Sequence, residues 1–82
     1  MTSDEALIRT LYAEHGKALL SYATRLSGDR EVAEDVVQET LIRAWRQPEA
    51  MANPAMSRRG WLLTVVRDTV IDRFRAEPAR SR

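Results

Sequence analysis

Apolar residues recur at three- and four-residue spacing in three runs, separated by residues that end helices. In the first run Leu7, Leu11, Ala18, Leu19, Tyr22, Ala23 and Leu26 share one stripe, as on an amphipathic helix. Gly16 sits inside the run and weakens it by up to about 1 kcal/mol relative to alanine. The stripe resumes on the same face, so a continuous or slightly bent helix is predicted. Its start falls at Thr2 or Ser3: Thr2 and Glu5 have capping-box spacing, and Asp4 and Glu5 suit the positive end of a helix dipole.

Ser27-Gly28-Asp29 reads as a stop followed by a start. Gly28 can take the left-handed conformation of a C-terminal cap, and Asp29 can accept backbone N–H bonds as the next N-cap. The second helix then spans about residues 30 to 46. Val32, Ala33, Val36, Val37, Leu41, Ala44 and Trp45 form its apolar face, while Glu31, Glu34, Asp35, Gln38, Glu39 and Ile42 fall largely outside it. Such a short connection makes the first two helices antiparallel neighbours. Periodicity fails from Gln47 to Ser57, where Pro48, Asn53 and Pro54 break any long helix, so a loop with at most one helical turn is predicted. Ser57 is the N-cap of a third long helix in which Trp61, Leu62, Val65, Val66, Thr69, Val70 and Phe74 cover the first two. It ends before Pro78, which disfavours helix at Glu77. The predicted fold is all-α, a compact bundle of three main helices with an irregular loop or short helical turn before the last. Residues 1 to 76 form the domain, and residues 77 to 82 a tail or the start of a linker.

Composition agrees with one small domain: 44% hydrophobic and 30% charged residues over 82 positions support a core and argue against disorder. Stability on the order of 5 kcal/mol is expected at this size. No cysteine is present, so disulfides and Cys-based zinc are excluded. Nothing resembles a secretory leader or a membrane span, so a cytoplasmic protein without membrane insertion is expected. Charge adds something the apolar pattern does not. Residues 1 to 57 carry six basic and nine acidic side chains, net −3, whereas residues 58 to 82 carry seven arginines and three acids, net +4. Arginine at all seven positions favours bidentate contacts with phosphates or base edges, although a GC-rich genome produces the same bias.

The residue inventory does not support an enzyme. His15 is the only histidine and has no cysteine or second histidine with which to hold a metal, and Ser21, Ser27 and Ser57 lack a credible base. No glycine-rich phosphate loop is present, and neither a metal nor a cofactor is expected. Two helix faces remain. Asp35, Gln38 and Glu39 align with Ile42 on the second helix, either as a solvated face or as a docking surface for a basic partner helix. Arg58, Arg59, Arg67 and Arg75 on the last helix are either exposed surface or phosphate and base contacts, with Asp72 and Arg75 spaced for a local ion pair. Few aromatics are free to stack on bases, so tolerant binding along a long single strand fits poorly.

Taken in order, YATRLSGD (22 to 29), AEDVVQETLIRAWR (33 to 46), a loop and WLLTVVRDTVIDRFR (61 to 75) resemble the second conserved region of bacterial sigma factors of the extracytoplasmic-function group. The order and spacing of these segments, over nearly the whole chain, make the resemblance specific. It implies transcription initiation: a helical domain that docks on the clamp helices of the RNA polymerase β′ subunit and recognises the promoter −10 element, partly single-stranded, as it opens. The docking role then falls on Asp35, Gln38, Glu39, Leu41 and Ile42. The −10 role falls on the loop around Ala52, Asn53 and Met56 and on Arg58, Arg59, Thr64, Arg67, Asp68, Ile71 and Arg75. An extracted base costs a few kcal/mol of stacking, which pocket contacts can offset.

The last helix departs from the family pattern at Asp68, where Asn is common. An ionised carboxylate accepts but cannot donate, so Asp68 suits a cytosine amino group or an arginine partner, here Arg67 or a nearby one. A sigma factor of this group also carries a C-terminal helix-turn-helix domain for the −35 element. Nothing after Arg75 supplies one, so an isolated domain or truncated product is expected, monomeric and weak on duplex DNA. The resemblance further implies an anti-sigma factor as regulator. The competing reading is a helical protein-interaction module without direct DNA readout.

Overall fold

The computed structural model describes residues 3–52 and 55–76. Four helices follow in order: α1 (Ser3–Ser27), α2 (Arg30–Arg46), α3 (Pro48–Met51) and α4 (Arg58–Ala76). The architecture is all-α, with three main helices and one short turn of helix before the last, as the periodicity predicts. Thr2, Glu77 and Pro78, which entered the predicted helix limits, lie outside the described residues, as do Arg80, Ser81 and Arg82.

The local signals at the α1–α2 junction act as their chemistry requires. Gly28 has φ +73°, and its N–H donates to Thr24 O at 2.7 Å, closing the end of α1. A side chain at that φ would be strained, which is why glycine ends this helix. Asp29 then caps α2: its Oδ1 accepts from Glu31 N at 2.8 Å and Val32 N at 3.3 Å. Helix α1 runs unbroken through Gly16, which is buried and lies under the Tyr12 ring, where an added Cβ would meet Tyr12 Cδ1 at 3.0 Å. The missing side chain thus admits an aromatic ring one turn earlier. At about 1.5 Å per residue α1 is roughly 38 Å long, so it spans most of the 43 Å long axis.

The core lies where α1, α2 and α4 meet. Leu11, Leu19 and Ala23 from α1 pack with Ala33, Val36, Val37, Leu41 and Ala44 from α2 and Leu62, Val66 and Val70 from α4. Two threonines share this interior. Thr40 satisfies its hydroxyl locally by donating to Val36 O at 2.8 Å, but Thr69 Oγ1 is buried without a hydrogen-bond partner among the described residues. One turn later Arg73 Nε is in the same condition.

Three predicted core positions lie at the surface instead: Phe74 is 48% exposed, Trp45 39% and Leu26 38%. All three are at or near the C-terminal ends of their helices. There the three-helix contact runs out and the apolar stripe continues past its cover.

Candidate functional site

On α4, buried Leu62, Val65, Val66, Thr69 and Val70 define the inner side, and the 3.6-residue period puts Thr64, Arg67, Asp68, Ile71 and Arg75 together on the opposite side. Thr64, Arg67, Asp68 and Arg75 are exposed and Ile71 is half-buried. Thr64 Oγ1 donates to Gly60 O at 3.0 Å, which fixes its hydroxyl and leaves the oxygen free to accept. Arg67 NH1 lies 3.6 Å from Asp68 Oδ1, the pairing expected from the sequence; both side chains are more than half exposed, so the pair is screened and available to another ligand. The expected pair between Asp72 and Arg75 is not among those the described residues form, and Arg75 has no ion pair with a described residue.

The loop before α4 is held by its own backbone. Gln47 O accepts from Ala50 N at 3.0 Å and Glu49 O from Ala52 N at 3.2 Å, which makes the single turn α3 with Pro48 at its first position. Ser57 starts α4 as predicted: its Oγ accepts from Gly60 N at 3.0 Å and its carbonyl from Trp61 N at 2.9 Å. Gly60 packs closely into that closure: a Cβ there would sit 3.1 Å from Ser57 Oγ and 3.3 Å from Met56 Cγ, so these side chains would have to shift slightly to admit one. Ala52 and Met56 are exposed, Met56 beside Gly60 at the start of α4, while Asn53 lies outside the described residues.

Arg58 and Arg59 begin α4 but do not share the Thr64–Arg75 stripe. Arg58 is exposed and makes no ion pair or side-chain hydrogen bond with a described residue. Arg59 turns to α1, donating from Nε to His15 Nδ1 and from NH2 to Glu14 O, both at 3.3 Å. Sequence reasoning held Arg59 and His15 apart, since residues 44 positions distant meet only through packing.

On α2, Asp35, Gln38, Glu39 and Ile42 are exposed, Ile42 by 41%. Glu39 lies 3.8 Å from Arg43, and Glu34 3.5 Å from Arg30, pairs worth about 0.3–0.5 kcal/mol each at such a surface. Asp35 and Gln38 have no side-chain partner among the described residues. Leu41, grouped with them from the sequence, is only 5% exposed and belongs to the core, because it falls on the α1 side of the helix. Trp45, read as core from the sequence, is 39% exposed. It lies one turn beyond Ile42, and the two give the face an apolar end that the core reading of Trp45 had hidden. Gln38 also borders a groove of about 540 Å³ between α1 and α2, floored by Ile8, Leu20, Val37 and Leu41 and edged by Tyr12.

Among the described residues no group of three or more His, Asp or Glu could hold a metal ion, and no helix is long and apolar enough to cross a membrane. The site's chemistry is that of surfaces: an amide and carboxylate face with apolar Ile42 and Trp45, and a guanidinium-bearing face beside an exposed loop.

Residues 11–80 match the sigma-70 region 2 family. The extracytoplasmic-function RNA polymerase sigma factor SigL of Mycobacterium tuberculosis, strain H37Rv, is 49% identical over 79 residues, covering 96% of this chain and 45% of the relative. SigG, a second such sigma factor of that strain, is 40% identical over 55 residues, 67% of this chain and 15% of the relative. The chain thus spans less than half the length of these relatives.

Proposed function

The chain belongs to the sigma-70 region 2 family, in the extracytoplasmic-function group of sigma factors, and from that premise we propose that it acts in transcription initiation by joining RNA polymerase to the promoter −10 element. The observation that carries the reading is the separation of two exposed faces on helices that share one core. Asp35, Gln38, Glu39 and Ile42 of α2, extended by Trp45, meet the clamp helices of the β′ subunit. An apolar patch within polar groups suits a protein partner.

Thr64, Arg67, Asp68, Ile71 and Arg75 of α4, with Arg58 and Arg59 at its start, meet the −10 DNA. Ala52, Asn53 and Met56 of the preceding loop border the base that leaves the stack. Arg58 and Arg75, which have no acidic partner among the described residues, supply attraction to phosphate, while Thr64 and the Arg67–Asp68 pair present donors and acceptors to bases. The work is binding and strand capture, requiring no covalent step, cofactor or metal from this chain. Residues 1 to 76 act as this unit, with 77 to 82 a tail or the start of a linker. The chain works in the cytoplasm as a monomer on the polymerase, under an anti-sigma factor that competes for it.

The test measures two affinities on the same protein. Core polymerase capture should fall with Gln38→Ala and Glu39→Lys while binding to single-stranded −10 oligonucleotides holds, and Arg67→Ala should do the reverse. Oligonucleotide binding that is absent or indifferent to salt would support a protein-interaction module without DNA readout.

A further inference from the structure

The contact between α1 and the first turn of α4 has a chemistry unlike the other arginine contacts. Arg30, Arg43 and Arg67 each face a carboxylate, at 3.5, 3.8 and 3.6 Å. Arg59 is held by two neutral acceptors, a ring nitrogen of His15 and the backbone oxygen of Glu14. Its orientation is therefore set without its charge being neutralised. Two of the five guanidinium N–H groups are used, and three remain to donate elsewhere.

His15 is suited to this task. Its side chain is only 13% exposed, so the ring has little freedom, and its Nε2 lies 3.6 Å from Glu14 Oε1. A carboxylate on that side favours the tautomer with the proton on Nε2, which leaves the Nδ1 lone pair for Arg59. Glu14 thus acts twice: its side chain orients the ring, and its carbonyl takes the second N–H.

We propose that His15 is a positioning residue that holds the Arg59 guanidinium, charged and pre-oriented, as a phosphate clamp for the DNA strand on α4. The inference rests on the reading of α4 as the nucleic-acid face. Arg59 lies off the Thr64–Arg75 stripe, at the helix start beside the exposed loop. A cation held at the α1 side of the helix start, apart from the base-reading stripe, suits the backbone of a strand whose bases meet that stripe. Pre-orientation matters because a free arginine side chain loses its rotamer freedom when it is immobilised by the ligand alone. Here much of that ordering precedes binding.

The experiment uses the 82-residue chain and a labelled pool of short single-stranded DNA of randomised sequence, titrated at several salt concentrations. Arg59→Ala should weaken pool binding, lower the salt slope by about 0.7, the share of one phosphate contact on a single strand, and leave the sequences enriched from the pool unchanged. His15→Leu should weaken binding about fivefold, as for one lost orienting hydrogen bond. His15→Asn, which keeps an acceptor oxygen near Nδ1, should stay within about twofold of the starting protein. In the Arg59→Ala background His15→Leu should cost nothing further. Equal losses for His15→Leu and His15→Asn, a His15→Leu loss that persists without Arg59, or an unchanged salt slope in Arg59→Ala each overturn the proposal. Should His15→Leu fail to fold by circular dichroism, Arg59→Lys decides: it keeps the charge but not the fork, so binding several-fold weaker at an unchanged salt slope supports positioning, and unaltered affinity rejects it. Wild-type protein that shows no salt-dependent binding removes the nucleic-acid reading itself. Binding that responds to Arg67→Ala but not to His15 removes this inference alone.

Discussion

The outer faces of α2 and α4 have much the same sequence grammar, charged and amide residues opposite an apolar stripe, yet they differ in how charge is compensated. On α2 the acids Glu34 and Glu39 are matched by Arg30 and Arg43 one turn away, and exposed Ile42 and Trp45 adjoin them. On α4 only Arg67 faces an acid, while Arg58 and Arg75 have no acidic partner among the described residues and Arg59 rests on neutral atoms. A surface whose acids are mostly paired, with Asp35 left to meet a basic group and apolar patches beside it, suits another protein. One with unspent positive charge gains most from a polyanion. The difference fits the proposed assignment of the two faces to different classes of partner.

The comparison can be broken at four points. Leu62 is fully buried in the shared core, and Leu62→Ala should cost about 3 kcal/mol in urea unfolding, so both binding activities should be lost together at the same, lower urea midpoint. A variant that lost one face and kept the other would show that the faces do not depend on a common core. Glu39→Lys places a third cation beside Arg43 and Arg46 and should lower core polymerase affinity about tenfold, with single-stranded DNA binding equal or slightly stronger. A comparable loss on both ligands would merge the two faces into one.

Thr69→Val removes a buried hydroxyl that has no partner and should raise stability by about 1 kcal/mol in the same urea experiment without altering either affinity. Destabilisation would mean that Thr69 Oγ1 is bonded after all. The smallest effect is expected of Asp68→Asn, which frees Arg67 and adds an amide donor. Selection from a randomised −10 library should change preference at one position by about threefold, and identical preferences would remove Asp68 from base readout.

Much of the fold was legible locally. The Ser27-Gly28-Asp29 boundary, the Ser57 cap and the single turn at Pro48 each depend on residues within four positions of one another, and short-range hydrogen bonds enforce them. The candidate faces were legible in part. Exposure of Asp35, Gln38, Glu39 and Ile42 follows from helical period, since the buried Val36, Val37 and Leu41 leave them no other side. Trp45 and Phe74 were assigned to the core in that reading, because periodicity gives an angle around a helix but not how far along it a neighbour extends.

Helix type, helix limits and the inward side of each helix were thus properties of the chain, governed by backbone hydrogen bonding and the 3.6-residue repeat. The helix ends left bare, the groove between α1 and α2, and the meeting of Arg59 with His15 and the Glu14 carbonyl were settled by packing. The physical reason is range: a cap is made by atoms a few residues apart, whereas a contact across 44 residues exists only after three helices have chosen their mutual position and depth.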